Sequence, residues 1–235
     1  MRRYFFNPFT ILMLFGLVVL LIVVVPLLLF SIIGTALIKL GFSAIQVLLI
    51  LLLTLIGSFI NIPLTTIESK PAIIDSDFAP FFGRLYRIPI VATTSTVIAI
   101  NVGGALIPLF ISLYLIAMTA IIPESWGMVI RILIGILGVT IVAKLLSRPV
   151  RGLGIVTPFF LPPIAALIAG LVLGAGLGIE AAIIAYVSGT LGTLIGADIL
   201  NLHRISDLGA PMVSIGGAGT FDGVFLTGII AAFLA

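Results

Sequence analysis

Two aspartates near the end of the chain are the residues best suited to chemistry. Asp198 lies near the end of an apolar stretch at about 181–200, and Asp222 lies inside another at about 213–235. With a rise of 1.5 Å per residue, Asp222 would lie roughly 14 Å into a helix that starts near Val213. A carboxylate in hydrocarbon is costly and is retained mostly where it faces protein or water and has a function. We therefore predict that Asp198 and Asp222 form a catalytic or ion-binding pair.

The chemistry of such a pair leaves two classes of function open. Two carboxyl groups that share a site cannot both ionise, so one of them retains a proton. This arrangement supports acid–base catalysis as in aspartic proteases, and it equally supports reversible binding of a proton or cation in a transporter. If the two residues act as a dyad, their carboxyl groups should lie within about 4–7 Å, reachable through one water.

Small residues around both aspartates predict close contacts between helices. Two stripes repeat every four residues, and they are Ser188, Gly192 and Gly196 in the first stretch and Gly219 and Gly223 in the second. Small residues at this spacing let backbones approach closely, so we expect the stripes to bring the sixth and seventh helices together. In an ideal helix Asp198 lies about 200° around from Gly196. It can therefore face Asp222 only if the helix opens near Gly196.

The composition indicates that lipid is the solvent for this chain. Of the 235 residues, 62% are hydrophobic and only 8% are charged, and the mean hydropathy is +1.45, whereas soluble domains carry about a quarter charged residues. The chain has no cysteine and a single histidine, His203, which excludes thiolate and histidine-cluster metal sites. The basic residues lie in loops between apolar runs, so the net charge of +3 does not indicate nucleic-acid binding. We expect a cell-membrane protein without a metal or cofactor.

The pattern of apolar runs predicts an all-α fold with about seven membrane helices in a single domain over 1–235. The runs fall at roughly 10–38, 44–62, 88–121, 127–146, 155–175, 179–200 and 213–235, and each is long enough to span a bilayer. Within this domain, 181–235 forms a glycine-rich helix pair that carries the two aspartates. The loop at 63–88 mixes aromatic and charged residues, which suits the cytoplasmic interface of the bilayer.

The distribution of basic residues predicts the orientation in the membrane. Nine of the eleven lysines and arginines fall in loops on one side, Lys39 falls on the other side, and Arg131 lies inside the fourth run. Basic residues accumulate in cytoplasmic loops. We therefore expect the N-terminus inside and the C-terminus outside.

The third run is longer than a span requires and contains residues that interrupt helices. Among them is Pro108, which removes a backbone hydrogen bond from the preceding turn. A kinked or broken helix at membrane depth is typical of transporter sites, because exposed carbonyl groups there must be met by protein or water. The candidate substrate-binding residues, from this run and from the last one, are Asn101, Gly103, Gly104, Gly217, Gly219 and Thr220.

Four blocks of sequence resemble a known family. They are TVIAINVGGALIPL, SRPVRGLGIVTPFFLPPIAAL, AYVSGTLGTLIGADILNL and DLGAPMVSIGGAGTFDGVFLTGI. Together they resemble the prokaryotic multi-pass membrane family DUF1614, a domain of unknown function, over roughly residues 55–235. This resemblance implies a membrane protein and no particular activity.

The run GAGTFDGVFLTGII, with two aspartates on consecutive predicted helices, is also similar to the GxGD intramembrane aspartyl proteases of the presenilin and signal-peptide-peptidase type. Thr220 and Phe221 separate the glycine from Asp222, and no Pro-Ala-Leu segment follows. The similarity implies that Asp198 and Asp222 are catalytic and cleave a transmembrane peptide in the bilayer. The alternatives are a proton- or cation-coupled transporter of a small solute and a membrane scaffold without catalysis.

Overall fold

The helices and strands of the chain are given by a computed structural model that describes residues 8–68, 79–81, 84–86, 95–122, 126–150, 154–207, 210–217 and 223–235. The α-helices in these ranges are α1 Pro8–Lys39, α2 Ala44–Gly57, α3 Ile107–Ile121, α4 Trp126–Leu146, α5 Leu161–Leu173, α6 Ile179–Thr193 and α7 Gly223–Leu234. The strands are β1 Asn61–Glu68, β2 Ala79–Phe81, β3 Arg84–Tyr86, β4 Ser95–Asn101, β5 Arg148–Val150, β6 Gly154–Val156 and β7 Met212–Ile215. The described residues also form two π-helical turns and one 3₁₀ segment. The turns are Val102–Leu106 and Leu194–Asp198, and the 3₁₀ segment is Ile199–Asp207.

Four helical segments in the described part of the chain are long and apolar enough to cross a membrane. They are Ile11–Lys39, Val102–Ile121, Trp126–Leu146 and Ile179–Ile205. The helices α2, α5 and α7 are apolar but shorter. These lengths agree with a mostly helical membrane protein, whereas the topology of seven spans and the orientation remain predictions.

The stripe of small residues on α6 packs against α4, which corrects the expectation that it meets the seventh helix. A Cβ atom added at Gly192 would lie 2.6 Å from the Cβ atom of Val139. One added at Gly196 would overlap the carbonyl oxygen of Thr140. Ser188, at the start of the same stripe, faces Gly135 of α4. The small size of the residues along this stripe therefore lets the backbones of the sixth helical segment and α4 approach closely.

The contact between α6 and α7 uses other glycines. A Cβ atom added at Gly189 would lie 3.3 Å from the Cα atom of Gly228, and one added at Gly228 would overlap the hydroxyl oxygen of Thr190. Of the second predicted stripe, Gly223 has no atom within 4 Å of an added Cβ, and Gly219 lies outside the described residues. The two helices do meet closely, as expected, but through residues that the four-residue pattern did not include.

A three-stranded sheet replaces the predicted helical ends of two apolar runs, so the fold is not purely α-helical. The strand order is β1-β4-β7, with β1 antiparallel and β7 parallel to β4. Asn61 pairs with Asn101 at the end of the first ladder. The sequence of β4, STVIAIN, is rich in the β-branched residues that favour strands.

The predicted interruption of the third span is confirmed. The chain runs from β4 through the first π-helical turn, Val102–Leu106, and becomes α-helical only at Ile107. Pro108 lies in the first turn of α3, and because it has no N–H group it cannot continue the hydrogen bonds of the π-helical turn before it.

The prediction that the last helix starts near Val213 is wrong. Residues Met212–Ile215 form β7 and are followed by Gly216 and Gly217, whose φ angles of 78° and 74° are in the left-handed region. Only glycine adopts this region readily, so the pair ends the strand. The helix α7 begins at Gly223.

Candidate functional site

The position of Asp198 depends on the second π-helical turn. The turn Leu194–Asp198 follows α6 directly and contains Gly196, so the helix does open where the sequence required it. In an unbroken α-helix Asp198 would lie about 140° around from Thr193. A π-helical turn accommodates one more residue, which rotates the following residues back by roughly 100°. Asp198 is thereby brought close to the side of the helix that carries Thr193.

The carboxylate of Asp198 is held by the backbone of the glycine pair after β7. Its Oδ2 atom accepts a hydrogen bond of 2.8 Å from the N–H group of Gly216. Gly216 also lies against the first π-helical turn, because a Cβ atom added there would be 2.5 Å from the Cβ atom of Ala105 and 2.7 Å from the carbonyl carbon of Gly104. One glycine therefore contacts both π-helical turns, and a side chain at this position would separate them.

A cavity of about 220 Å³ borders Asp198. The polar residues of its lining are Asp198, Thr157, Thr193 and Ser214, and the described part of the lining includes no basic residue. Most of the remaining wall is apolar and comes from β6, β7, α7 and the 3₁₀ segment.

The hydroxyl groups around the cavity differ in what they bind. Ser214 donates to the Oδ1 atom of Asn61 at 2.6 Å, and Thr157 shares a hydrogen bond of 2.7 Å with Ser147. The side chain of Thr193 has only 4% exposure, and its hydroxyl group has no hydrogen-bond partner among the described residues. Thr193 therefore carries a buried hydroxyl group beside the cavity that no described residue satisfies.

Two further hydroxyl groups on α6 continue the line from Thr193 into the helix bundle. Tyr186 and Thr190 are fully buried, and their hydroxyl groups interact with each other. Their spacing of four and three residues places Tyr186, Thr190 and Thr193 on one side of the helix. The sequence analysis did not single out these residues, although hydroxyl groups at helical spacing in an apolar run were a visible signal.

The predicted site residues at the first π-helical turn bind each other and the protein backbone. The side-chain amide of Asn101 donates to the carbonyl oxygen of Ser58 at 2.8 Å and to Asn61 Oδ1 at 3.1 Å. Its Oδ1 atom accepts from the N–H group of Gly104 at 2.7 Å. An added Cβ atom at Gly103 would overlap the carbonyl oxygen of Thr54. These contacts stabilise the turn, and the prediction that Asn101, Gly103 and Gly104 bind substrate remains a prediction.

The other predicted site residues are distributed around the cavity or fall outside the described ranges. Gly217 lines the cavity together with Asp198. Gly219, Thr220 and Asp222 lie outside the described residues, so the separation of the two carboxyl groups stays a prediction. Gly223, the residue that follows Asp222 in the sequence, lines the cavity.

Comparison with known proteins supports one of the two resemblances. The model of the family described as "Protein of unknown function (DUF1614)" matches residues 55–234, and the chain belongs to this family. The matched region contains the three-stranded sheet, both π-helical turns and the cavity. The comparison with curated proteins gave no match, and neither did the comparison with solved structures.

Proposed function

We propose that this member of the DUF1614 family transports a small solute across the membrane, coupled to a proton or cation that binds at Asp198. The observation that carries the proposal is a carboxylate beside a cavity, at the break of the long apolar segment Ile179–Ile205. Ionisable residues within membrane segments mark ion and substrate pathways. Secondary transporters commonly build such sites from discontinuous helices.

The contact between the two π-helical turns supports a mechanism of coupling. Gly216 donates to Asp198 of the second turn and packs against Gly104 and Ala105 of the first turn. When Asp198 takes up a proton or cation, its hydrogen bond to Gly216 weakens because the carboxylate loses negative charge. The occupied and empty states then differ in their preferred arrangement of the two turns, and this difference can drive a change in access.

Transport assays with Asp198→Asn test the proposal directly. Asparagine preserves the shape and an oxygen that can accept from Gly216, but it cannot ionise. In proteoliposomes with an internal pH indicator and an imposed pH gradient, we expect solute-dependent proton movement with the wild-type protein and none with Asp198→Asn. The control is Glu180→Gln, which removes an acid on α6 that pairs with Arg131 at 3.3 Å and does not line the cavity. Unchanged proton movement in Asp198→Asn would overturn the proposal.

A second candidate function is intramembrane proteolysis by the two aspartates. The observation that favours it is that the cavity beside Asp198 is also lined by Gly223, the residue that follows Asp222 in the sequence. Two carboxyl groups within about 4–7 Å could activate a water molecule between them and cleave a transmembrane peptide. Purified protein incubated with labelled transmembrane peptides should then lose all cleavage in both Asp198→Asn and Asp222→Asn. An experimental structure with the carboxyl groups more than about 10 Å apart would remove this candidate.

A further inference from the structure

The 3₁₀ segment that follows the second π-helical turn is unusually long. It has nine residues, whereas 3₁₀ runs longer than about three or four residues are uncommon because their hydrogen bonds have poorer geometry. Leu202 and Ile205, which are one 3₁₀ turn apart, line the cavity. His203 and Arg204 lie between them in the sequence and are exposed. The segment therefore forms one wall of the cavity with its apolar side and turns polar side chains away from it.

The side chain of Asn201 competes with an α-helical form of this segment. Asn201 is fully buried, and its Nδ2 atom donates to the carbonyl oxygens of Gly196 at 3.1 Å and Ala197 at 2.9 Å. In a continuous α-helix, these two carbonyl groups would accept from the backbone N–H groups four positions later in the chain. The side chain therefore occupies the acceptors that an α-helix would use, and such competition disfavours regular helix.

The 3₁₀ form leaves one polar atom of this side chain without a partner. The Oδ1 atom of Asn201 is buried and has no hydrogen-bond partner among the described residues, which costs free energy. Buried groups of this kind call for an explanation, and stored strain is one of the known explanations. Together with the poorer hydrogen bonds of a long 3₁₀ run, the unpaired atom reduces the advantage of this form over an α-helix.

We infer that Ile199–Asp207 is a gate of the cavity and that Asn201 is the positioning residue that keeps it closed. A 3₁₀ helix turns about 120° per residue and an α-helix about 100°. Conversion from Ile199 onward would therefore turn Leu202 by roughly 60° and Ile205 by roughly 120° around the axis, and would shorten the segment by about 4.5 Å. Both side chains then leave the wall, and the cavity opens on this side.

The inference rests on the proposed transport function, to which it adds one of the openings that alternating access requires. The carbonyl groups that Asn201 binds belong to the two residues directly before Asp198. A change in the hydrogen bond between Asp198 and Gly216 therefore acts on the same turn that Asn201 holds. Uptake of a proton or cation at Asp198 is thereby linked to opening of the gate.

Cysteine labelling tests the gate, because the chain has no cysteine of its own. Val224→Cys places a reporter on α7 at a position that lines the cavity and has 3% exposure. Ile229→Cys is the matched control, at a fully buried position of the same helix away from the described lining of the cavity. The full chain in lipid nanodiscs is treated with a water-soluble maleimide, and mass spectrometry gives the rate of labelling. Opening of the gate exposes only the first thiol, whereas unfolding exposes both.

Variants of Asn201 should hold the gate open. Asn201→Leu is similar in size but has no N–H donor for the two carbonyl groups, so we expect labelling at position 224 to be at least about tenfold faster. Labelling at position 229 should not change. Asn201→Ala also lacks the donor and favours an α-helix, and it should give the same result if Asn201→Leu fails to fold. The control Thr119→Val removes a buried hydrogen bond of α3 and should leave both rates unchanged.

The possible results distinguish this inference from the proposed function. Labelling at position 224 that is unchanged in the Asn201 variants would overturn the gate, and so would faster labelling at both positions, because Asn201 would then stabilise the whole fold. Proton movement that depends on Asp198, together with unchanged labelling, would leave the transport proposal standing without this gate. Faster labelling at position 224 alone, in a protein that moves no protons, would support the gate and overturn the transport proposal.

Discussion

The two π-helical turns meet at Gly216 but differ in how their polar groups are satisfied. At Val102–Leu106, the side chain of Asn101 uses both its amide and its oxygen in hydrogen bonds to the protein. At Leu194–Asp198, the hydroxyl group of Thr193 has no partner among the described residues. The same is true of the Oδ1 atom of Asn201, although its amide donates to two carbonyl groups of the second turn.

This difference separates a structural break in a membrane helix from one suited to binding. A buried polar atom without a partner costs about 1–3 kcal/mol, so proteins rarely retain such atoms without a compensating role. At the first turn, the side chain of Asn101 makes its hydrogen bonds within the protein, and Gly104 and Ala105 pack against Gly216. At the second turn, Asp198 and Thr193 line a cavity, and the Thr193 hydroxyl group has no partner among the described residues.

The largest expected effect comes from filling space at the first turn with Gly104→Ala. The added Cβ atom would overlap the carbonyl oxygen of Gly216, which is backbone and cannot rotate away, so we expect a loss of about 3 kcal/mol or more in unfolding free energy. Gly138→Ala is the control, since nothing lies within 4 Å of its added Cβ. Thermal unfolding in detergent measures both variants. Equal stability of Gly104→Ala and the control would contradict a close-packed first turn.

Changing the polar side chain at each turn should lower the stability of the protein by different amounts. Asn101→Ala deletes three hydrogen bonds and leaves the buried N–H group of Gly104 without its acceptor, so we expect a loss of about 2–3 kcal/mol. Asp198→Asn keeps an acceptor for Gly216 and should change stability by less than about 1 kcal/mol. Chemical unfolding of both variants gives the ranking. If Asp198→Asn is the less stable of the two, the second turn is structural as well.

Much of this contrast was visible in the sequence. Asn101, Gly103, Gly104 and Pro108 predicted the first break because each disfavours regular helix. The geometry of an ideal helix showed that Asp198 could reach the seventh helix only through an opening near Gly196, and a π-helical turn is present there. Both inferences depend on local backbone preferences, which a sequence records directly.

The sheet and the acceptor groups could not be predicted in the same way. The strand β4 is short and has an apolar centre, Val97–Ile100, and such a segment cannot be distinguished from buried helix by hydropathy alone. Ser214 binds Asn61 across 153 positions in the chain, a contact that only the tertiary fold creates. Thr193 is an ordinary threonine in an apolar run, and its unused hydroxyl group is evident only once its neighbours are known.

A smaller effect is expected from Ser214→Ala, which tests the connection between the two turns. The variant removes the hydrogen bond from Ser214 to Asn61 Oδ1 and leaves the bond from Asn101 to the same atom. We expect a loss of about 0.6–1 kcal/mol, typical of one hydrogen bond inside a membrane protein. Chemical unfolding measures the change, and a Ser214→Ala variant as stable as the wild-type protein would mean that this hydrogen bond does not stabilise the fold.

The smallest expected change in stability is that of Thr193→Val, and its sign is the most informative. Valine has nearly the same shape, and the hydroxyl group that it lacks has no partner among the described residues. The substitution should therefore leave stability unchanged or raise it by up to about 1 kcal/mol, because an unpaired buried polar group is removed. Thr119→Val deletes a hydroxyl group that donates to Leu115 and should cost about 0.6 kcal/mol. Unfolding experiments without added ligand give both values, and a loss in Thr193→Val as large as that in Thr119→Val would mean that Thr193 is satisfied within the protein.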